Sequence, residues 1–316
     1  MTAEVLAPQD THVRRPKSNS GSRRRPVREI VKAMRMIPLL PAILIMITFL
    51  AGPIIWSIYG SFTNASLTGV NASNPQWIGF ENYLKLVNDP VFPLSIWLTA
   101  IFTFGSAVIS QNALGLGLAL LMQKADKKVT ASVGTIIVAA WILPEIVAAF
   151  VCYAYFSLDG TLNQILANFG MTGPNWLYSF PMFAIILANL WRGTAFSMMV
   201  YQAALNDVPP EITEAAMIDG AGGSKRLLLV TIPMIKNTIV TNTMLISLLT
   251  LSVFTLIYVM TAGGPGNDST TLPILAYKEA FRFSNIGYGT AIATVMLIIG
   301  AIFSVVYIRA LRPQKD

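Results

Sequence analysis

The sequence predicts an all-α integral membrane protein with six transmembrane helices and with both termini in the cytoplasm. Three observations lead to this prediction: 54% of the 316 residues are hydrophobic, only 12% are charged, and the apolar residues stand in long runs. A soluble domain carries about 25% charged residues, so this chain has too few to cover a surface in water. A soluble enzyme, a disulfide scaffold and a coiled coil are therefore excluded.

Six runs are long enough to span a bilayer, which takes about 20 mostly apolar residues. They cover residues 37–59, 94–122, 133–156, 182–205, 239–260 and 286–308. The second run is long enough to tilt or to extend beyond the bilayer. The first is longer than a signal-peptide core and is not followed by a small-residue cleavage site, so we interpret it as a retained helix.

The orientation follows from the basic residues, because short loops rich in Lys and Arg stay in the cytoplasm. With a cytoplasmic N-terminus, 18 of the 22 lysines and arginines fall in the two tails and the two cytoplasmic loops. The resulting organisation is a disordered basic tail at 1–36, a six-helix domain at 37–309 with a cytoplasmic loop at 206–236, and a cytoplasmic tail at 310–316. We expect the basic tail to fix the topology and touch anionic lipid rather than nucleic acid.

The reactive side chains argue against catalysis. The chain has one cysteine, Cys152, and one histidine, His12. That inventory allows no internal disulfide, no His/Cys metal cluster and no Ser/His/Asp triad. The glycine-rich run at 220–225 has no Gly-Lys pair and no strand before it, so it is not a phosphate loop. We therefore expect no catalytic site, no metal site and no nucleotide site.

Three longer segments fall outside the membrane on the other side. The segment at 61–93 holds Trp77 and Phe80, is too apolar for a free linker, and is expected to pack on the membrane face or on a partner. The second, at 158–179, predicts one short helix. The third, at 261–285, contains the run Gly-Gly-Pro-Gly-Asn, which predicts a tight turn that we interpret as a connection.

The cytoplasmic loop at 206–236 is longer than a connection between two helices needs. Its prolines at 209 and 210 suit the first turn of a helix, which Asn206 or Asp207 would cap. This helix is predicted over 211–218 and ends at Gly220, because glycine adopts the left-handed C-cap conformation.

Ser224 is expected to cap a second short helix at 225–231, which stops before Pro233. The loop is thus a helix–turn–helix at the membrane surface. Its first helix has a small-residue face, which suits either docking into the groove of a partner or resting on lipid.

A family resemblance appears at this loop. The run EAAMIDGA at 214–221, with Pro233 nineteen residues after Glu214, resembles the EAA loop of ABC-importer permeases. The segment WIGFENY at 77–83 and the segment YVMTAGGPGN at 258–267 are similar to parts of the sugar-type permeases of the maltose and glycerol-phosphate branch, and in particular to the first of their two permease subunits. The likeness runs from about residue 77 to residue 309. It departs from the family pattern at Leu227, Ile232 and Asn237, which affects only the packing of the loop.

The resemblance implies the type I ABC-importer permease fold in a bacterial or archaeal cytoplasmic membrane. The implied partners are a second homologous permease, two ATPase subunits, an extracytoplasmic solute-binding protein and the lipid bilayer, with no nucleic acid. The chain would be a non-catalytic permease subunit that binds no cofactor, since ATP and Mg belong to the partner ATPase.

The same resemblance makes the helix around Glu214 a coupling helix that inserts into the ATPase and moves as a lever. Glu214 is expected to make a charge-assisted contact with a basic group of the ATPase, whereas Asp219 is expected to hold the turn by accepting amide hydrogen bonds. The residues expected at this coupling surface are Glu211, Glu214, Ala215, Ala216, Met217, Asp219, Gly220 and Ala221.

The substrate pathway is predicted from polar residues in the spans, because ionisable groups inside a bilayer are costly and often mark a pathway. Glu145 and Arg192 lie at mid-span, and they could pair either at the pore or as a bolt between two helices. The full set of pathway candidates is Glu145, Asn189, Trp191, Arg192, Asn242, Ser247, Thr250, Phe254 and Tyr258.

The leading hypothesis is therefore a permease subunit of an ATP-driven importer for a sugar or oligosaccharide. A glycerol-phosphate or polyol importer is the alternative within the same class, because Arg192 could attract a phosphate. A gradient-driven secondary transporter is a further alternative, although no internal repeat is visible and the EAA-type loop would have no role there.

Overall fold

A computed structural model describes residues 37–311, so the predicted tail at 1–36 and residues 312–316 lie outside the described part of the chain. The chain divides into two compact units between Ile55 and Trp56. Within the first unit, the side chains described for residues 38–55 are exposed or partly exposed. The second unit contains every element described below that begins after residue 60.

The regular secondary structure of the described residues is helical, and the only β-type pairing among them is an isolated bridge between Thr63 and Trp77. The helices are α1 (Leu40–Gly60), α2 (Glu81–Asn88), α3 (Val91–Lys124), α4 (Lys127–Ile142), α5 (Glu145–Phe156), α6 (Thr161–Asn168), α7 (Pro181–Asn206), α8 (Pro210–Ile218), α9 (Gly223–Met234), α10 (Lys236–Leu251), α11 (Thr255–Thr261), α12 (Leu272–Tyr277) and α13 (Ile286–Leu311).

Five helical stretches in the described part of the chain are long and apolar enough to cross a membrane, and a sixth is present if the bent pair α9–α10 counts as one span. The stretches are Leu40–Gly60, Val91–Lys124, Glu145–Asn168, Pro181–Asn206 and Ile286–Ala310. The predicted all-α membrane fold is confirmed.

The predicted continuous helix at 133–156 is wrong, because the chain breaks between α4 and α5. Leu143 and Pro144 are extended there, with ψ angles of 134° and 139°. Proline has no amide hydrogen and pushes the residue before it out of the helical region, which explains the break.

The predicted continuous helix at 239–260 is also wrong. α10 ends at Leu251 and α11 begins at Thr255, so residues 252–254 interrupt it. At its other end α10 meets α9 at a bend of 70°. Neither proline nor glycine stands at 252–254, and the break therefore has no local sequence signal.

Helices α3 and α7 pack closely through a glycine. A Cβ atom added at Gly115 would lie 2.6 Å from Ser197 Cβ and 3.0 Å from the Met198 backbone nitrogen, so no side chain fits there. A buried cluster joins these two helices to α5, α11 and α12; it includes Phe102, Cys152, Ile185, Ile257 and Ile274.

The segment at 61–93, predicted to be external, packs on the beginning of α13 of the same chain. Asn82 is buried and donates to the carbonyl oxygens of Ser61 and Thr63 at 2.8 Å each. The Tyr288 hydroxyl donates to Asp89 Oδ2 at 2.7 Å. The Asn82 bonds hold the segment together, and the Tyr288 bond fixes it to the beginning of α13.

The tight turn predicted between α11 and α12 is confirmed. Ala262, Gly263 and Gly266 have φ angles of 49°, 83° and 55°. The turn folds over Thr270, whose hydroxyl accepts a hydrogen bond from Lys278 Nζ at 3.0 Å. Burial lowers the pKa of Lys278 below its ordinary value, with a smaller contribution from Arg282.

Candidate functional site

A cavity of about 550 Å³ lies where the two helix breaks meet. Its wall comes from α3, the α4–α5 break, α7 and the α10–α11 break. Broken helices at membrane depth are tolerated where they line a cavity, because the freed backbone groups then have partners or water. The lining residues are Gln111, Trp141, Ile142, Leu143, Pro144, Glu145, Asn189, Arg192, Gly193, Phe196, Ile246, Leu249, Thr250, Ser252 and Val253.

Glu145 connects the two breaks. It is the first residue of α5, and its Oε1 accepts the Leu256 backbone amide at 3.2 Å, in the first turn of α11. The first amides of a helix have no partner within the helix, and a carboxylate there also opposes the positive end of the helix dipole. One side chain therefore holds the two half-helices together.

Arg192 lies on α7 beside this carboxylate. Its Nη2 is 4.0 Å from Glu145 Oε2, and each side chain is a little over a quarter exposed. The buried Nε atom has no hydrogen-bond partner among the described residues. The predicted proximity of the two residues is confirmed, and the pair both faces the cavity and joins α5 to α7.

Asn189 and Gln111 form the deeper polar wall of the cavity. Asn189 Nδ2 donates to Ser106 Oγ at 2.8 Å, and Gln111 Nε2 donates to the Asn189 carbonyl oxygen at 2.8 Å. A Cβ atom at Gly193 would overlap the Gln111 side chain, so glycine is needed for this bond. Asn189 also lies 3.5 Å from Thr250 Oγ1, which brings α10 to the same wall.

The structure thus brings together four of the predicted pathway residues: Glu145, Asn189, Arg192 and Thr250. Phe254 and Tyr258 lie just beyond the break, with ring centroids 5.2 Å apart, and both rings also pack on Tyr277. These two aromatic residues extend outward from the cavity along α11.

The other three predicted pathway residues lie elsewhere. Asn242 is fully buried and donates to Asn112 Oδ1 and Ser197 Oγ at 3.0 Å each, so it joins three helices. Ser247 is buried against Tyr307 of α13, at 3.4 Å between hydroxyls. Trp191 lines a separate, mostly apolar groove. None of the three reaches the cavity.

Sequence reasoning missed several lining residues. Pro144 was a visible signal, because a proline inside an apolar run marks a break. Gln111 stands in the predicted second span and is a polar side chain in hydrocarbon, which was also a usable signal. Gly193, Phe196 and Ser252 carry no such signal, since their role depends on packing.

Helix α8, in the loop predicted to be cytoplasmic, is mostly exposed. Glu211, Glu214, Ala215, Met217, Asp219 and Gly220 are exposed, and Ala216 and Ala221 are partly exposed. Ile218 at its end is 87% exposed, a large apolar side chain that sequence reasoning left out of the coupling set. A helix end with this exposed apolar tip is suited to contact with another protein.

The end of α8 is fixed by the backbone. The Gly220 amide donates to the Met217 carbonyl at 3.0 Å, and the Ala221 amide donates to the Ala216 carbonyl at 2.9 Å. With Gly220 at a φ of +79°, this is a Schellman C-cap, and the predicted role of that glycine is confirmed. The expectation that Asp219 holds this turn is wrong, because its side chain accepts no hydrogen bond among the described residues and the turn is closed by backbone bonds alone. The Asp219 carboxylate is exposed and free for a partner.

The predicted N-caps are wrong. Asn206 is still within α7, and the cap positions of α8 and α9 are Pro209 and Gly222, without a side-chain hydrogen bond at either. The helix with Ser224 also runs past Pro233 to Met234. A second cavity, of about 680 Å³, separates α8 from α9 and the end of α3, and Glu214, Lys124 and Arg226 contribute to its lining.

Comparison with known proteins gives one family. Residues 111–315 match the family described as binding-protein-dependent transport system inner membrane component. The chain is 31% identical over 291 residues to the sulfoquinovosyl glycerol transport system permease protein SmoG of Agrobacterium fabrum, covering 90% of this chain and 92% of that one. It is 28% identical over 281 residues to the trehalose/maltose transport system permease protein MalF of Thermococcus litoralis, covering 88% and 93% of the two chains.

The fold also resembles a solved structure. A chain of a bacterial ABC transporter involved in the import of the acidic polysaccharide alginate superposes with a TM-score of 0.77 at 21% identity, covering 92% of this chain and all of that one. This likeness supports the predicted type I importer-permease fold.

Proposed function

This chain belongs to the family of binding-protein-dependent transport system inner membrane components, and we propose that it forms half of the translocation pore of an ATP-driven importer for a sugar or oligosaccharide. It is a multi-pass membrane permease subunit and is not an enzyme. The observation that carries the proposal is that the family match at 111–315 includes both the cavity and the α8–α9 pair.

The partners follow from the surfaces that this chain leaves open. A second homologous permease would complete the pore against the cavity, and two ATPase subunits carrying ATP and Mg would dock on the α8 helices. A solute-binding protein would deliver the substrate from outside a bacterial or archaeal cytoplasmic membrane. The free carboxylates of Glu214 and Asp219 support docking at α8, because a basic groove would bind them. The exposed Ile218 offers an apolar contact beside them.

The cavity supports a neutral or weakly charged polyhydroxy substrate. It combines one ion pair, of Glu145 and Arg192, with the amide and hydroxyl groups of Asn189 and Thr250. Such neutral polar groups match sugar hydroxyls, and apolar surface such as that of Phe196 fixes the ring. A glycerol-phosphate or polyol substrate is the second candidate, and the cationic Arg192 in the cavity wall favours the phosphate ester.

The first test is isolation of the tagged chain from its native membrane in mild detergent, with mass spectrometry of the proteins that come with it. Recovery of a second permease, an ATPase and a solute-binding protein is expected. A chain that is stable and always comes down alone would overturn the proposal and redirect attention to gradient-driven transport.

The second test names the substrate. The recovered binding protein is titrated with neutral oligosaccharides, polyols and glycerol phosphates, and the ligand that binds is then tested for ATP-dependent uptake into vesicles that contain the complex. Uptake of a neutral sugar supports the first candidate. Uptake of a phosphate ester alone would contradict it in favour of the second.

A further inference from the structure

Helix α9 stands at a sharp angle to the span that follows it. It bends by 70° from α10, and the residue at the bend, Ile235, is buried in a cluster with Tyr201 and Leu205. Because α10 crosses toward the central cavity, α9 is directed close to the plane of the membrane. The buried Ile235 fixes that direction.

The two faces of α9 differ. Leu227 and Thr231 face the cavity beneath α8. On the other face Leu228 and Leu229 are 61% and 72% exposed. Lys225 precedes this pair by one turn and Lys236 follows it at the bend, and both lysines are exposed. Two exposed leucines therefore lie between an exposed lysine one turn earlier on α9 and another just beyond the bend.

Charge separates α9 from its neighbour α8. Residues 210–221 contain three acidic side chains and no basic one, whereas residues 222–236 contain three basic side chains and no acidic one. The acidic α8 is complementary to a basic protein groove. The basic α9, with its exposed leucines, is complementary to a surface that is apolar inside and negatively charged at its rim.

We propose that the exposed face of α9 rests on the inner leaflet, with Leu228 and Leu229 in the acyl region and with Lys225 and Lys236 bound to anionic phospholipid head groups. The inference rests on the proposed cytoplasmic placement of this loop. It assigns the two helices to different partners, since α8 contacts the ATPase and α9 contacts lipid. The contact with lipid holds the bend between α9 and α10 in place while α8 is displaced.

The depth of α9 is measured with a nitroxide spin label at Leu229→Cys, in a Cys152→Ala background, in nanodiscs of three parts phosphatidylcholine to one part phosphatidylglycerol. We expect this label to be accessible to oxygen and inaccessible to a water-soluble nickel relaxant. A matched label at Ile218→Cys on α8 is expected to be accessible to the nickel relaxant when the ATPase is absent. When the ATPase is bound, this label should be inaccessible to both nickel and oxygen. If the label at position 229 instead follows the pattern of position 218, the face belongs to the ATPase and the proposal is wrong.

The head-group contact is tested by the lipid that stays with the purified chain. The double variant Lys225→Gln/Lys236→Gln is expected to lose its preference for phosphatidylglycerol by about fivefold for each lysine removed. The matched variant Lys225→Arg/Lys236→Arg keeps the charge and should retain that preference. Equal lipid retention by both would overturn the proposal. The label at position 229 and the lipid assay need only this chain, so their outcome is separate from recovery of the transporter's partners.

Discussion

The proposed coupling role of α8 is tested most directly by Gly220→Trp, because the chain contains a matched control at the end of α6. Gly170 ends α6 as Gly220 ends α8, and the φ angles are +73° and +79°. The hydrogen bonds also match, since the amides of Gly170 and Met171 donate to Ala167 and Leu166 at 2.9 and 3.0 Å. Gly170→Trp therefore imposes the same backbone change at a turn that the predicted topology places on the opposite side of the membrane from Gly220.

The structure predicts equal folding costs for the two variants. A non-glycine residue in the left-handed region costs about 1–2 kcal/mol. Among the described residues other than the chain neighbours, no heavy atom lies within 4 Å of a Cβ placed at either glycine, so both positions open onto free space. Both variants should therefore insert and should lower the melting temperature in detergent by the same few degrees.

The two substitutions should differ in their effect on binding, because only the turn that a partner covers has no room for the indole ring. Overpacking a closely fitted contact costs about 1–3 kcal/mol, which corresponds to about a 5- to 150-fold weaker Kd for the ATPase. Gly220→Trp should thus lose ATPase on co-purification and lose uptake into vesicles, whereas Gly170→Trp should keep both. Normal uptake by Gly220→Trp would refute the coupling role. An equal loss in both variants would show that strain in the fold, and not docking, is responsible.

Three further substitutions test the packing and the cavity. Gly115→Leu should destabilise the chain in a thermal unfolding assay by about 1–3 kcal/mol, whereas Gly117→Leu should not, because a Cβ at Gly117 meets nothing within 4 Å. Glu145→Ala leaves the amide that now bonds to its carboxylate without that acceptor and should lower the unfolding free energy by about 1–3 kcal/mol, whereas Glu145→Gln, which keeps an acceptor oxygen, should remain closer to wild type. Gly193→Ala should displace the Gln111 side chain and reduce uptake with the ATPase still bound; unchanged uptake would remove Gln111 from the pathway.

The parts of the fold that could be read from the sequence are those with a local cause. Long apolar runs predict spans because no other environment accepts them. Gly220 predicts the end of α8 because only glycine enters the left-handed region without cost. The pairing of Glu145 with Arg192 was foreseen for a similar reason, since two opposite charges at one depth in a bilayer have few other partners.

The parts that could not be read depend on contacts between distant segments. The break at 252–254 has ordinary helix-compatible residues, and it is stabilised by the bond from the Leu256 amide to Glu145, more than a hundred residues away. Asn242 and Asn189 look alike in the sequence, since each is a polar amide within a predicted span. Asn242 nevertheless lies in a junction between helices, whereas Asn189 lies at the cavity wall. Residue type predicts that a buried amide needs partners, but not which partners it finds.

These long-range contacts suggest how the cytoplasmic surface and the cavity are linked. From the bend at Ile235, α10 is an unbroken helix that ends next to Thr250 and Ser252 at the cavity wall. Its 16 residues cover about 24 Å at 1.5 Å per residue, so a displacement at one end is delivered at the other. Beyond the break, α11 is held by Glu145 of α5. The interruption therefore separates two walls of the cavity, since α10 continues from the bend at Ile235 whereas α11 is bonded to α5.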